Sequence, residues 1–168
     1  MTIRDVLKVN GWTIYAHPCF LDQFESLVKQ VEALRRKLPN DFHKKNDAKR
    51  LAAIAKLAWE VIPDNPEKEE YRQGETLGDD RKHWFRAKFF QQYRLFFRYH
   101  KASRIIILAW VNDETTRRAY GCTTDAYKVF ARMLNKGRPP DDWNTLLAEA
   151  SSSDAHEVLL SVHKATGN

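Results

Sequence analysis

The hydrophobic and polar positions between Trp84 and Tyr99 alternate with a period of two in two runs. Phe85, Ala87 and Phe89 fall on one side of an extended segment, and Arg86 and Lys88 on the other. After Gln91-Gln92 the pattern resumes, with Leu95 and Phe97 on one side and Arg94 and Arg98 on the other. Two such runs joined by a short polar break predict a hairpin. Arg104 to Val111 is apolar on both faces and predicts a central strand. The register across the hairpin decides where its cations go. A two-residue loop puts Arg86 and Lys88 on the face opposite Arg94 and Arg98, whereas a three-residue loop or a bulge gathers all four on one face.

Upstream, Trp12 and Ile14 predict a short first strand entered through Gly11. Pro18 then opens an amphipathic helix in which Phe20, Phe24, Leu27, Val31, Leu34 and Leu38 recur at three- and four-residue spacing, with a stop at Pro39. Asn46 or Asp47 caps a second helix carrying Leu51, Ile54, Leu57, Ala58, Val61 and Ile62, which Pro63 and Pro66 end. Lys44, Lys45, Lys49 and Arg50 at its start read as a solvated face with no part in the chemistry. Asp64 to Lys82, rich in Pro, Gly, Glu and Asp, predicts a surface connection. Thr124-Asp125 begins a helix with Ala126, Tyr127, Phe130, Met133 and Leu134 on one face, and Asp141-Asp142 begins another that runs to about Glu149. Residues 1–150 form one domain on this reading, and residues 151–168 a tail that carries a short helix on Val158, Leu159 and Val162. The implied class is α+β. The two N-terminal helices cover one side of a small sheet and leave the other side open as a cleft, with the loop after Val111 and the helix after Thr124 at its rim.

With 168 residues and 43% hydrophobic content, including five Trp and nine Phe, the chain can bury a substantial core. A net charge of +6 and a pI near 9.3 favour an anionic partner. The charge is concentrated: Trp84 to Tyr99 holds four Lys/Arg and no Asp or Glu, interleaved with Tyr93, Phe96 and Tyr99. Cations among flat rings are what single-stranded nucleic acid uses for phosphate contact and base stacking. Cys19 and Cys122 lack metal spacing and read as free thiols of a reducing cytoplasm. No apolar run reaches the length of a membrane span, and Met1 to Asp5 has no signal-peptide core, so the expected location is the cytoplasm. Walker loops, dinucleotide glycine motifs, zinc-like clusters and glycine-flanked serines are absent, and no cofactor is expected. His17, His43, His83 and His100 are scattered and read as surface or packing residues. RNA cleavage suits a site of Arg, Lys and Tyr, because the substrate brings its own nucleophile, the 2′-hydroxyl, and needs only proton transfer and charge stabilisation.

Val9-Asn10-Gly11-Trp12, Tyr15-Ala16-His17-Pro18-Cys19-Phe20, Tyr93-Arg94-Leu95-Phe96-Phe97-Arg98-Tyr99, Trp110-Val111-Asn112-Asp113-Glu114, Tyr120-Gly121, Thr124-Asp125-Ala126-Tyr127 and Pro139-Pro140-Asp141-Asp142-Trp143 together resemble the YhaV toxin family, in order from Val9 to Ala150. The resemblance implies the toxin half of a bacterial type II toxin-antitoxin pair. Such a toxin is a RelE-like endoribonuclease that needs no metal, cleaves mRNA and inhibits translation and growth. Its implied fold is a small antiparallel-rich sheet with two N-terminal helices on one face, followed by C-terminal helices. The implied partners are RNA and a PrlF-type antitoxin with an AbrB-like DNA-binding domain, the complex binding its own operator DNA.

Carried over from the RelE superfamily, Arg86 and Lys88 match the basic pair of the first hairpin strand, and Arg94 matches the arginine of the Tyr-Arg-Leu run. Arg117 or Arg118, with Tyr120 or Tyr127, falls where a downstream arginine and tyrosine belong. The expected catalytic set is therefore Arg94, Arg86, Lys88, Arg117, Arg118 and Tyr127, with Arg98, Tyr93, Phe96 and Tyr120 expected to bind RNA. Two other classes stay open at this stage: a non-catalytic ParE-like toxin acting on a protein target, and a nucleic-acid-binding regulator.

Overall fold

The computed structural model describes residues 5–119 and 121–167. Five strands, β1 (Lys8–Val9), β2 (Trp12–Ala16), β3 (Phe85–Phe89), β4 (Tyr93–His100) and β5 (Ile105–Val111), form one mixed sheet in the order β1-β2-β5-β4-β3. The β2–β5 pair is parallel and the other pairs are antiparallel. As the both-face apolar pattern requires, β5 lies in the centre, buried from Ile106 to Val111. The protein is thus α+β.

The first helix, α1 (Pro18–Lys37), starts on Pro18 and ends with Arg35, Arg36 and Lys37 in its last turn, where cations suit the negative end of the helix dipole. Next, α2 (Asn46–Lys56) runs through a π-helical stretch, Leu57–Val61, into the short α3 (Ile62–Asp64). Pro63 has no N–H to offer the carbonyl four residues back, which accounts for the looser turn before it. After the hairpin come α4 (Ala126–Asn135), α5 (Trp143–Ala150) and α6 (Ser153–Thr166). The segment expected as a tail is built into the fold: Leu159 and Val162 of α6 sit in the same core as Phe20, Phe24 and Ile54. None of the described helices is long and apolar enough to cross a membrane.

The sheet carries a core on each face, and here the structure corrects the expected open side. One core holds Leu95, Phe97 and Ala87 against α1, α2 and α6; the other holds Phe96, Ile107, Ala109 and Trp110 against α4 and α5. In the second, the Phe96 and Phe130 rings stack at 4.2 Å, Trp110 stacks on Phe130 at 5.8 Å, and Trp84 meets Phe130 edge-on at 5.1 Å. A bulge makes this possible. Phe96 pairs with Trp110 but Phe97 pairs with Leu108, so Ala109 is an extra residue and two consecutive side chains, Ala109 and Trp110, face the same core.

Candidate active site

The hairpin turn has three residues, Phe90-Gln91-Gln92, which leaves Lys88 directly opposite Arg94 and Arg86 opposite Phe96. Residues paired across a ladder share a face, so Arg86, Lys88, Arg94 and Arg98 all lie on the α4 side. Phe90 and Gln91 both adopt positive φ, 47° and 63°, a conformation that costs a side-chain-bearing residue roughly 1–2 kcal/mol. Neighbouring groups hold it. Arg94 Nη1 donates to the Gln91 carbonyl at 2.7 Å, Asn112 Nδ2 donates to the Gln92 carbonyl at 3.1 Å, and the Arg118 backbone N–H donates to that same carbonyl at 2.8 Å.

The arginines do not fan into solvent; they converge on Tyr127. Arg86 Nε and Arg94 Nε donate to the Tyr127 hydroxyl oxygen at 2.8 and 3.0 Å. Arg86 is 8% exposed, Arg94 7% and Tyr127 5%. The Arg118 guanidinium lies 4.9 Å from the centre of the Tyr127 ring and pairs with Asp125. Arg86 Nη1 is spent on the Glu70 carbonyl and Arg94 Nη1 on the carbonyls of Gln91 and Tyr93, while the Nη2 of each has no hydrogen-bond partner among the described residues. Two unspent donors from two fixed forks, beside a hydroxyl, form an anion cradle that keeps a proton at hand.

The cradle is positioned by residues that the hydrophobic pattern could not single out. Asp125 caps α4 through the Tyr127 backbone N–H at 3.1 Å and also accepts from the Ala119 N–H and from Arg118. Burial alone would push its carboxyl up; the Arg118 and Ala119 hydrogen bonds and the Arg118 charge outweigh it and hold the group below the ordinary carboxylate range. Asn112, 3% exposed, accepts the Arg94 backbone N–H on Oδ1 at 2.7 Å and donates through Nδ2 to the carbonyls of Gln92 and Thr116. Sequence signals for both were slight: Asp125 stood at a helix start, and Asn112 was the first polar residue after a wholly apolar strand.

The sequence model of Toxin_YhaV, described as a toxin with endonuclease activity, of toxin-antitoxin system, matches residues 14–151. The chain belongs to this family. A relative named ribonuclease toxin YhaV from Escherichia coli strain K12 is 47% identical over 148 residues, covering 87% of this chain and 96% of the relative. A toxin YhaV from Escherichia coli O6:H1 strain CFT073 has the same identity and coverage. No solved structure matches the chain.

Placed on the fold, the expected family site residues separate. Arg86, Arg94, Arg118 and Tyr127 come together, and Lys88 stands exposed beside them. Arg117, also exposed, does not reach Tyr127 and borders a cavity across the hairpin turn instead. Arg98 lies farther along β4 between the rings of Trp84 and Trp143, 5.3 Å from each, with Nη1 donating to the Asp141 carbonyl at 2.6 Å. Burial pushes its pKa down, and the charges of Asp141 and Asp142 act against that. Arg98 thereby fastens the segment before α5 to the sheet. Phe96 is fully buried in the second core and shows no face to a base. Tyr93 points to the opposite side of β4, stacked on Phe89 at 5.4 Å under the Arg50 guanidinium. Tyr120 lies outside the described residues. Both cysteines are free; Cys19 is buried, which pushes its thiol up to about 11. Among the described residues no group of three or more His, Cys, Asp or Glu is placed to hold a metal.

Proposed function

We propose that this endonuclease toxin is a RelE-like, metal-independent endoribonuclease that cuts mRNA and is silenced by a PrlF-type antitoxin, the pair together binding their operator. The observation that carries the reading is the convergence of Arg86, Arg94 and Arg118 on Tyr127. The ribonuclease named among the relatives supports RNA as the substrate.

In the proposed reaction the 2′-oxygen forms a bond to phosphorus and loses its proton to a base, the P–O5′ bond breaks, and the departing 5′-oxygen takes up a proton. The products are a 2′,3′-cyclic phosphate and a 5′-hydroxyl. The five-coordinate phosphorus carries more negative charge than the diester, and the free Nη2 donors of Arg86 and Arg94 are set for its oxygens. Lys88, across the ladder from Arg94, and Arg118 add positive charge. Tyr127 accepts from both Nε groups, so its own proton remains to be given to the 5′-oxygen. Because its position is set by those two donors, each guanidinium fixes the acid as well as the charge.

The test is incubation of the purified protein with labelled RNA in the presence of a chelator. Fragments ending in 2′,3′-cyclic phosphate are expected. Intact RNA, or gyrase-dependent DNA breaks in place of RNA fragments, would overturn the reading.

A further inference from the structure

Across the hairpin turn from Tyr127, a cavity of about 320 Å³ opens between the start of α2 and the turn itself. That volume falls at the lower end of the range for small-ligand sites, roughly 300–1,000 Å³. Its most informative member is Arg50, expected in the sequence to belong to a solvated face. Arg50 is only 7% exposed, and its Nε and Nη1 are buried with no hydrogen-bond partner among the described residues. The Glu114 carboxylate, 3.6 Å from Nη1, is too distant for a hydrogen bond and is itself largely exposed. The exposed Glu114 carboxylate offsets the Arg50 charge only in part, and the cations around the cavity favour an anion there.

The surroundings name its chemistry. Lys49 and Arg117, both exposed, border the same cavity. Helix α2, of 11 residues, begins beside the cavity with no side-chain cap among the described residues and with Asp47 in its first turn. Beside these cations stand Tyr93 and Phe90, and Phe90 is 54% exposed, unusual for a ring of its size. An anion with several oxygens attached to a flat ring satisfies all of these features.

Continuity with the cleavage site follows from Arg117 and Arg118. Arg117 has extended backbone, φ −60° and ψ 153°, so neighbouring side chains diverge: Arg118 reaches the Tyr127 ring and Arg117 borders the cavity. Their shared backbone is pinned across the turn by the Arg118 N–H on the Gln92 carbonyl at 2.8 Å. An RNA strand leaving Tyr127 therefore has only the turn to cross before meeting the second cluster of cations.

We propose that this cavity is a nucleotide subsite of the cleavage site. It holds one RNA nucleotide next to the scissile bond, its phosphate on Arg50, Lys49 and Arg117 and its base against Phe90. The subsite rests on the endoribonuclease reading above and adds to it the residues that grip the flanking nucleotide.

The experiment uses a fluorescent RNA heptamer spanning a mapped cleavage position, made uncleavable by a single 2′-deoxy substitution there. It is titrated by anisotropy into the full-length protein and into Phe90→Ala and Arg50→Met, and cleavage of the all-ribose heptamer is followed in parallel. Each variant is expected to weaken binding about tenfold, the size of a lost stacking or phosphate contact. Phe90 is exposed, so Phe90→Ala keeps the fold and is decisive even if Arg50→Met does not fold. Parent affinity in Phe90→Ala, with the parent protein cutting RNA, overturns the subsite and leaves the cleavage reading standing. Failure of the parent to bind or cut RNA overturns both. Unchanged RNA affinity with weakened antitoxin binding makes the cavity a protein contact and likewise overturns the proposal.

Discussion

Arg94 holds three groups in place at once: the Tyr127 hydroxyl, the Gln91 carbonyl and the Tyr93 carbonyl. Strict alternation marks it as a polar-face residue, and a polar-face arginine contributes little to a core. Its burial under α4 changes that expectation. Arg94→Ala removes donors from buried acceptors and is expected to cost about 1–3 kcal/mol of stability, measured by urea unfolding. A loss under about 0.5 kcal/mol, typical of surface positions, would contradict the network described here. Alternation correctly set Arg86, Lys88 and Arg94 apart from Ala87 and Leu95, because period two is a property of the strand alone. It could not show that Arg50, among three exposed lysines at the start of α2, turns inward over Tyr93, because that depends on which elements meet there.

The elements most legible in the sequence were those whose signal is local. Pro18 and the Phe20–Phe24–Leu27–Val31 spacing located α1, Asp142 marked the start of α5, and Ile105 to Val111 announced the central strand. The second helical layer was not legible as a cover, since the apolar face of α4 shows that the helix packs without showing on what. Nor was the bulge at Ala109, which leaves no mark in a strand apolar on both sides. His17 shows how a locally ordinary residue joins elements. Its Nδ1 accepts the Cys19 N–H at 3.1 Å as the cap of α1, which leaves Nε2 to donate to Glu149 of α5 at 2.8 Å. Burial pushes its pKa below the ordinary 6.5, against the pull of Glu149, and burial lowers His163 as well. Between the depressed folded value and 6.5 the unfolded chain binds more protons, so stability is full above about 6.5 and is lost as the pH falls below it. Urea unfolding at pH 7.5 and 5.5 is expected to give the lower stability at 5.5, with a smaller difference in His17→Asn. Higher stability at the lower pH would mean that His17 is held protonated against Glu149.

At the scale of the whole molecule, the charge of +6 is not spread evenly: the hairpin, the 117–118 segment and the start of α2 carry a belt of cations around one turn. With one phosphate at the Tyr127 cluster and one beside Arg117, log K for an uncleavable RNA strand falls against log salt with a slope near −0.7 per phosphate, roughly −1.4 in all. A slope near zero would remove the belt from RNA binding. Composition permitted this partner, and the ordered motifs from Val9 to Trp143 pointed to the family, but the meeting of Arg94 and Arg86 with a tyrosine 33 and 41 positions later is a tertiary fact. That meeting is the central claim, and Tyr127→Phe tests it most directly. The variant keeps the ring packed edge-on against Phe96 at 5.6 Å and removes only the oxygen that Arg86 and Arg94 share. Under single-turnover conditions with saturating protein, its RNA cleavage rate is expected to fall about 10²-fold or more, with RNA affinity kept within a few-fold. A folded Tyr127→Phe protein that cuts RNA at the parent rate would contradict the account.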